Sequence, residues 1–364
     1  MLLVANDYSG KLSGGRESLS ALNEDLLREI FLENFSAFRF KGDKNNSALS
    51  LFRSTLGILD GINHDILSHI DAILKTRSYK YVFIDGSNLG YIAWYIKKKY
   101  PLMVVYVYFH NVEFKFYWDK FINHKTIKNL ILCFINFLAE FYSVKWADKT
   151  ICLTVKDSEI LKKVFNYHAD YIFPLCIKNT FVNQDVRRKI KGIDNLNSKK
   201  YALFVGSAFY SNINGIRWFV KNVLPGIALD LVIIGNGFEE HKREFERYKN
   251  ISVNGRVEDL GAAYFDAECV VAPIFDGSGM KTKVAEALMH GKIVVGTREA
   301  FIGYELLAED NKRICNTADD FINMLNNISL NSGKNGLKSR EIRESYLKLY
   351  SYEAGKKRFN SVFR

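Results

Sequence analysis

The feature that most narrows the possible folds is an alternation repeated twice along the chain: short, continuous apolar runs separated by stretches of helical periodicity. The second pass is the cleaner. Its apolar runs are YALFVG (201–206), LDLVIIG (229–235), ISVNG (251–255), CVVAPI (269–274), KIVVGT (292–297) and RICN (313–316). Between them NINGIRWFVKNVL, FEEHKREFERYK, VEDLGAAYFDA and KTKVAEALMHG read as helices. Strands apolar along their whole length are covered on both faces, and helices between them imply a parallel sheet. Such sheets bind ligands beyond the carboxyl ends of their strands, which points to the loops after Val205, Ile234, Ile274 and Val295.

The first pass has the same grammar. MLLVAN is followed by Gly14 and Gly15, then by a helix in which Leu19, Leu22, Leu26 and Ile30 recur at helical spacing. YVFIDG (81–86) and LMVVYVYFH (102–110) read as buried strands around the helix YIAWYIKKK, which Pro101 stops. A helical region covers about 116–143, followed by strand KTICLT, helix KDSEILKKVF and strand YIFPLCI. The chain of 364 residues suits two domains rather than one core. The expected division is an N-terminal Rossmann-like domain over 1–185, a polar linker over 186–200, a C-terminal Rossmann-like domain over 201–345 and a closing helix over 346–364.

Composition removes other classes. The five cysteines are scattered without metal-ligand or CxxC spacing, which fits small buried hydrophobes in a reducing compartment. The N-terminus lacks the basic start and apolar core of a signal peptide. The most apolar stretch, LILCFINFLAEFY (130–142), is too short to span a bilayer and carries Glu140, so the expectation is a cytoplasmic chain. The net charge of +11 favours polyanionic partners. Without an RNP pair, zinc finger or basic zipper, nucleic acid is not expected; a phosphorylated substrate or an anionic membrane surface is. Residues 115–137 mix lysines with Phe116, Tyr117, Trp118 and Phe121, which suits a peripheral membrane face or, equally, a buried helix with a solvated rim.

GSGMKTKVAEALMHG (277–291) carries the chemistry. Its glycines let backbone approach a ligand, and a helix starting near Met280 turns its first amides and dipole toward an anion. Met280, Val284, Ala287 and Leu288 form the core face; Lys283, Glu286 and His290 share another. Glu286 lies six residues beyond Met280, about 9 Å along a helix, a span that matches diphosphate to ribose. The alternative is an ordinary Lys283–Glu286 surface pair.

LFVGSAFYSNINGIRWFV, LVIIGNG, ISVNGRVEDL, VVAPIFDGSGMKTKVAEALMHGKIVVGT and FIGYE together resemble the donor domain of family-four glycosyltransferases of the GT-B fold. The resemblance covers about 201–305, and reaches the N-terminal half more weakly through the Gly-rich loop and FHNVE (109–113). It implies an α/β protein with two Rossmann-like domains facing each other across a cleft and a C-terminal helix packing back toward the first. It implies that Glu286 holds the ribose of a nucleotide sugar, while Gly277, Ser278, Gly279, Met280, Lys281 and Thr282 serve the diphosphate and part of the donor sugar; Lys283 adds positive charge beside them. Gly206, Ser207 and Gly235 lie at strand ends of the donor domain, and Gly255, Arg256 and Val257 lie near the base. By the same resemblance His110 contacts the donor sugar, Glu113 orients neighbours or meets the acceptor, and Gly14 and Gly15 face the donor phosphate and acceptor. A packed structural histidine and an ordinary polar glutamate are the plain alternatives.

Two positions depart from the family pattern. Ser278 stands where relatives carry a glutamate toward the donor sugar, with Asp276 two residues out of register. The loop GSAFYSNINGIR holds Asn212 and Asn214 but lacks the early cations that clamp a diphosphate, leaving that charge to Lys281 or Lys283. The expected activity is transfer of a sugar from a nucleotide-diphosphate donor to a glycan or lipid-linked acceptor of bacterial surface polysaccharide, retaining, with no metal and no cofactor. A nucleotide-sugar epimerase, or a non-catalytic fold-alike that binds a membrane or partner, are the rivals. A nicotinamide dehydrogenase does not fit, because no GxGxxG with a following acidic residue is present.

Overall fold

The computed structural model describes residues 1–7, 15–42, 48–181, 200–257, 260–277, 279–331 and 336–363. Gly14, Ser278 and residues 186–199 of the expected linker lie outside them. The chain forms two compact units, Met1–Leu175 with Lys356–Arg364, and Cys176–Gly355.

The first unit is built on a parallel sheet of β1 (Leu2–Asn6), β2 (Ser36–Phe40), β3 (Tyr81–Asp85), β4 (Val104–Phe109), β5 (Lys149–Cys152) and β6 (Tyr171–Ile172), in the order β2-β1-β3-β4-β5-β6. Its helices are α1 (Gly15–Phe31), α2 (Ala48–Thr55), α3 (His64–Thr76), α4 (Gly90–Lys99), α5 (Glu113–His124), α6 (Ile127–Trp146) and α7 (Val155–Phe165). Strand β2 was not expected. It is the edge strand, half-exposed and carrying Arg39, so it lacks the apolar run that marks a buried strand. The expected single helix over 116–143 is two helices. Lys125 turns left-handed at φ 47°, and the Thr126 hydroxyl accepts the Asn129 amide to start α6. The C-terminal residues complete this unit: Phe363 packs edge-on against Tyr106 and Phe31, and Phe359 meets Phe83.

The second unit contains β7 (Tyr201–Val205), β8 (Asp230–Ile234), β9 (Ile251–Asn254), β10 (Cys269–Ala272), β11 (Val294–Gly296) and β12 (Lys312–Ile314). All pairings are parallel, in the order β12-β11-β10-β7-β8-β9. The chain works outward from β7 in one direction and from β10 in the other, so the topological switch lies between these two strands. The helices are α8 (Tyr210–Asn222), α9 (Lys242–Phe245), α10 (Gly261–Asp266), α11 (Thr282–Met289), α12 (Ala318–Leu330), α13 (Gly336–Leu349) and α14 (Tyr352–Phe363), the last continuing into the first unit's C-terminal segment. Helix α11 starts two residues later than expected. Its Val284, Ala287 and Leu288 are fully buried, as their spacing demands. All five cysteines are buried, and among the described residues none forms a disulfide.

Candidate functional site

In the second unit, polar groups gather where β7 and β10 end. Gly206 follows β7, and a Cβ there would come within 2.9 Å of both the Lys283 Nζ and the Asn212 Nδ2. The glycine therefore leaves room for a lysine amine. Gly235, after β8, approaches the Gly206 carbonyl so closely that a Cβ would fall 1.7 Å from it. Lys283 is buried. Its Nζ donates to Asn212 Oδ1 at 2.8 Å and lies 4.1 Å from the centre of the Phe204 ring. Asn212 in turn donates to the Ser207 carbonyl at 2.8 Å. Burial, reinforced by the nearby Lys281, pushes the Lys283 amine down to about 7; Glu286 pulls the other way.

The alternative of an ordinary Lys283–Glu286 surface pair does not hold: Lys283 is buried, Glu286 is half-buried, and among the described residues they make no ion pair. The Glu286 carboxylate accepts the Tyr264 hydroxyl at 2.9 Å, and His290 stacks on the Tyr264 ring at 4.7 Å and 5°. Burial raises the Glu286 pKa, with Tyr264 and Lys283 opposing. The Tyr264 phenol is raised well above its ordinary value by burial and by the adjacent Glu286.

The loop before α11 is shaped by glycine. Gly277 has φ 123° and Gly279 φ 70°, conformations that side chains rarely adopt. Among the described residues, no side chain caps the helix start at Lys281. Instead the Tyr304 hydroxyl donates to the Lys281 carbonyl at 2.9 Å and takes the Ala285 amide at 3.0 Å. Met280 packs over Gly303, where a Cβ would overlap its side chain. Lys281 donates to Gly279 O at 2.8 Å and faces Glu299 at 3.6 Å, so it braces its own loop. Of the two lysines, Lys283 is the one that reaches the loop after β7. Asp276 accepts the Tyr210 hydroxyl at 2.9 Å. Gly255 lies against Glu239, Arg256 is exposed and half-buried Val257 packs against the core.

In the first unit, His110 follows β4 and is buried. Its Nε2 sits 3.0 Å from Asp85 Oδ1; opposite a carboxylate that nitrogen donates. Asn23 donates to the same oxygen at 2.9 Å. Burial would raise Asp85, but the imidazole and the hydrogen bonds outweigh it and hold the carboxyl at about 2. His110 Nδ1 and Asp85 Oδ2 are buried without a hydrogen-bond partner among the described residues. Glu113 opens α5, accepts Asn111 at 3.2 Å and faces Arg16 at 3.7 Å. Gly15 opens α1. Arg16 donates to Asn88 Oδ1 at 2.6 Å, and Asp60 accepts from both Asn6 and Asn88.

Sequence reasoning missed Asp85, Tyr264 and Tyr304 as members of these clusters. Asp85 stood only as a strand-ending Asp-Gly, and Tyr264 lies far from Glu286 in sequence, with no local pattern linking them.

Residues 199–329 match the family model described as Glycosyl transferases group 1. A curated relative, an uncharacterized 44.6 kDa protein in the cps region of Klebsiella pneumoniae, is 28% identical over 179 residues. That match covers 44% of this chain and 45% of the relative, so the chain spans less than half the length of the curated protein it matches. Among solved structures, sucrose-phosphate synthase from Thermosynechococcus elongatus has a TM-score of 0.70 at 15% identity, over 100% of this chain and 98% of that one. HepE of Anabaena, in complex with UDP and glucose, has 0.67 at 11%, over 100% and 99%. The lipopolysaccharide outer core galactosyltransferase WaaB has 0.64 at 15%, over 100% and 99%. These likenesses establish the GT-B fold. Fold and family match together give the class: a GT-B protein in which residues 199–329 match the group 1 glycosyltransferase model.

Proposed function

We propose that the chain transfers a sugar from a nucleotide-diphosphate sugar to a glycan or lipid-linked acceptor in surface polysaccharide assembly, with retention of anomeric configuration and without a metal. The observation that carries this reading is Lys283, a desolvated amine at the β7–β10 switch with Asn212 Oδ1 as its hydrogen-bond acceptor among the described residues. An ammonium has three donors, so it retains capacity for phosphate oxygens. The relative in a cps region supports the polysaccharide setting, and UDP in the HepE structure makes uridine diphosphate the first probe.

In this reading the donor's anomeric carbon passes through an oxocarbenium-like state as the diphosphate departs. Charge builds on the leaving oxygen, and Lys283 with the first amides of α11 stabilises it from fixed positions. Glu286 accepts ribose hydroxyls, held in place by Tyr264. His110 offers its unpartnered Nδ1, with Asp85 setting the tautomer, to a sugar hydroxyl, and Glu113 serves the acceptor. The enzyme works in the cytoplasm as a peripheral membrane protein.

Glu286→Ala should weaken uridine diphosphate binding by roughly 1.5–3 kcal/mol, the scale of hydrogen bonds to a charged group. Titration calorimetry checks it, and unchanged affinity would remove Glu286 from the donor site. Thermal-shift screening against nucleotide sugars tests the whole reading, which no stabilisation by any of them would defeat.

A further inference from the structure

Helix α6 is built inside out. Its inward positions, Cys133, Asn136, Ala139, Glu140 and Ser143, are small or polar, and all are buried. They permit close packing: a Cβ on Gly90 would fall 2.2 Å from the Ala139 carbonyl. They also form bonds. Ser143 donates to Ser87 O at 2.6 Å, and Glu140 accepts Ser87 Oγ at 2.9 Å and the amides of Glu113 and Phe114 at 2.7 and 3.1 Å. The outward positions are apolar. Ile127, Leu130, Ile131 and Phe134 recur three and four residues apart, Phe141 follows seven residues on, two helical turns along the same face, and the five are 77, 44, 54, 56 and 41% exposed.

The helix has 20 residues and a mean hydropathy of 1.4 over its most apolar window, of which 33% is buried. By length and composition it can cross a membrane. That corrects the expectation that this segment is too short: the apolar stripe extends past 130–142 at both ends. The bonds of Glu140 and Ser143 tie its inner face to α5 and the Ser87 turn instead.

The apolar surface does not stop at α6. Trp118 and Ile122 expose their side chains on α5, as do Leu49, Leu51 and Phe52 on α2 and Leu56 just after it. Gly57 lies against Leu138, where a Cβ would meet the Leu138 Cβ at 2.8 Å, so the end of α2 rests on α6. The surrounding charge is basic. Lys125, Lys128 and Lys145 are exposed, and half-buried Lys120 and Arg53 join them. Lys120 Nζ lies 4.2 Å over Phe116 and Lys145 Nζ 5.3 Å over Phe141. On these three helices the exposed carboxylate is Asp119, which is paired with Lys115.

We propose that the outer faces of α6, α2 and α5 insert shallowly into an anionic lipid surface. Charge complementarity selects this occupant over a second copy of the chain. A two-fold interface is self-complementary, and here it would set lysines against lysines around the apolar centre. Anionic headgroups pair with those lysines while the side chains at 127, 131, 134 and 52 enter the acyl boundary. The proposal stands on the first unit's surface and does not depend on the donor.

Vesicle flotation of the full chain tests it, with phosphatidylcholine vesicles alone and with added phosphatidylglycerol. The protein should bind the anionic vesicles about tenfold more strongly than the neutral ones, and less in high salt. Ile131→Glu with Phe134→Glu should lower that binding by about tenfold or more. Both side chains are exposed, so folding should survive, and uridine diphosphate calorimetry on the same variant reports the donor reading separately. No binding by the wild type overturns the proposal, as does binding that the double variant leaves intact. A wild-type dimer in sedimentation velocity that the variant dissolves, without vesicle binding, assigns the face to a second copy and also overturns it.

Discussion

Two buried charged side chains, one in each unit, are displaced toward neutrality by the same cause and differ in everything else. Burial pushes Glu140 up to about 8 from 4.5 and Lys283 down to about 7 from 10.5. Glu140 is answered from within its own unit: the Ser87 hydroxyl and two amides at the start of α5 converge on its two oxygens. A carboxylate there completes a helix N-terminus, a structural duty. Lys283 has three donors, one side-chain acceptor among the described residues, an aromatic face and a glycine that keeps its place open. A desolvated charge whose bonds are closed internally holds a fold. One whose bonds are left over is poised for a ligand.

The strongest way to break this contrast is Lys283→Met. It should weaken uridine diphosphate binding by roughly 2–4 kcal/mol, as loss of one partner of a desolvated charge pair does. Stability without ligand should hold or rise, because a buried charge is removed. Calorimetry and thermal melts read the two quantities. Loss of both together would make Lys283 structural, like Glu140. The pH signature has a defined sign. The folded-state pKa is depressed, so between about 7 and 10.5 the unfolded chain holds more protons at this position. Its contribution to stability therefore rises with pH across that window, while affinity for the anionic diphosphate falls as pH passes through 7.

Glu140→Gln should show the opposite sign and no effect on nucleotide affinity. The folded-state pKa is raised, so between 4.5 and about 8 the native protein binds the extra proton. The native side chain's contribution to stability is greatest below that window and falls as pH climbs through it. The glutamine variant, which cannot ionise, should lose ground to the wild type at pH 5 and gain on it at pH 8.5, with a swing of roughly 1–3 kcal/mol. Paired urea melts at the two values measure the swing, and a constant difference would show that the carboxyl does not titrate in this range.

Much of this architecture is legible in the sequence, for a physical reason. Parallel strands covered on both faces must be apolar throughout, so β7 to β11 stand out without tertiary information, whereas edge strand β2, with Arg39 half in water, does not. The Gly277–Lys283 loop and Glu286 are legible as a candidate site because glycines, a helix start and a following polar face stand together in one short segment. Burial of Lys283 is not legible: on a helical wheel it falls with Glu286, and only the approach of Phe204 and Asn212 from elsewhere in the chain encloses it. The inside-out character of α6 escapes for a related reason. Its apolar residues suggest a core face, and nothing local says that the small and polar face is the one that packs.

Tyr264 is the subtlest member of the contrast, since it belongs to the fold by burial and to the site by one hydroxyl. Its ring is fully buried and stacks on His290, so Tyr264→Phe leaves the packing in place and deletes only the bond to Glu286. That bond holds the Glu286 pKa down against burial, so its loss should raise the Glu286 pKa further. If Glu286 accepts two ribose hydroxyls, as proposed, it must be ionised to do so, and the variant's nucleotide affinity should then trail the wild type by about 1 kcal/mol at neutral pH and by more as the solution is acidified. Calorimetry at several pH values, read as the difference between the two proteins, isolates this from the opposing titration of Lys283. If the two affinities coincide at every pH, Tyr264 does not position Glu286 and the hydroxyl serves the fold alone.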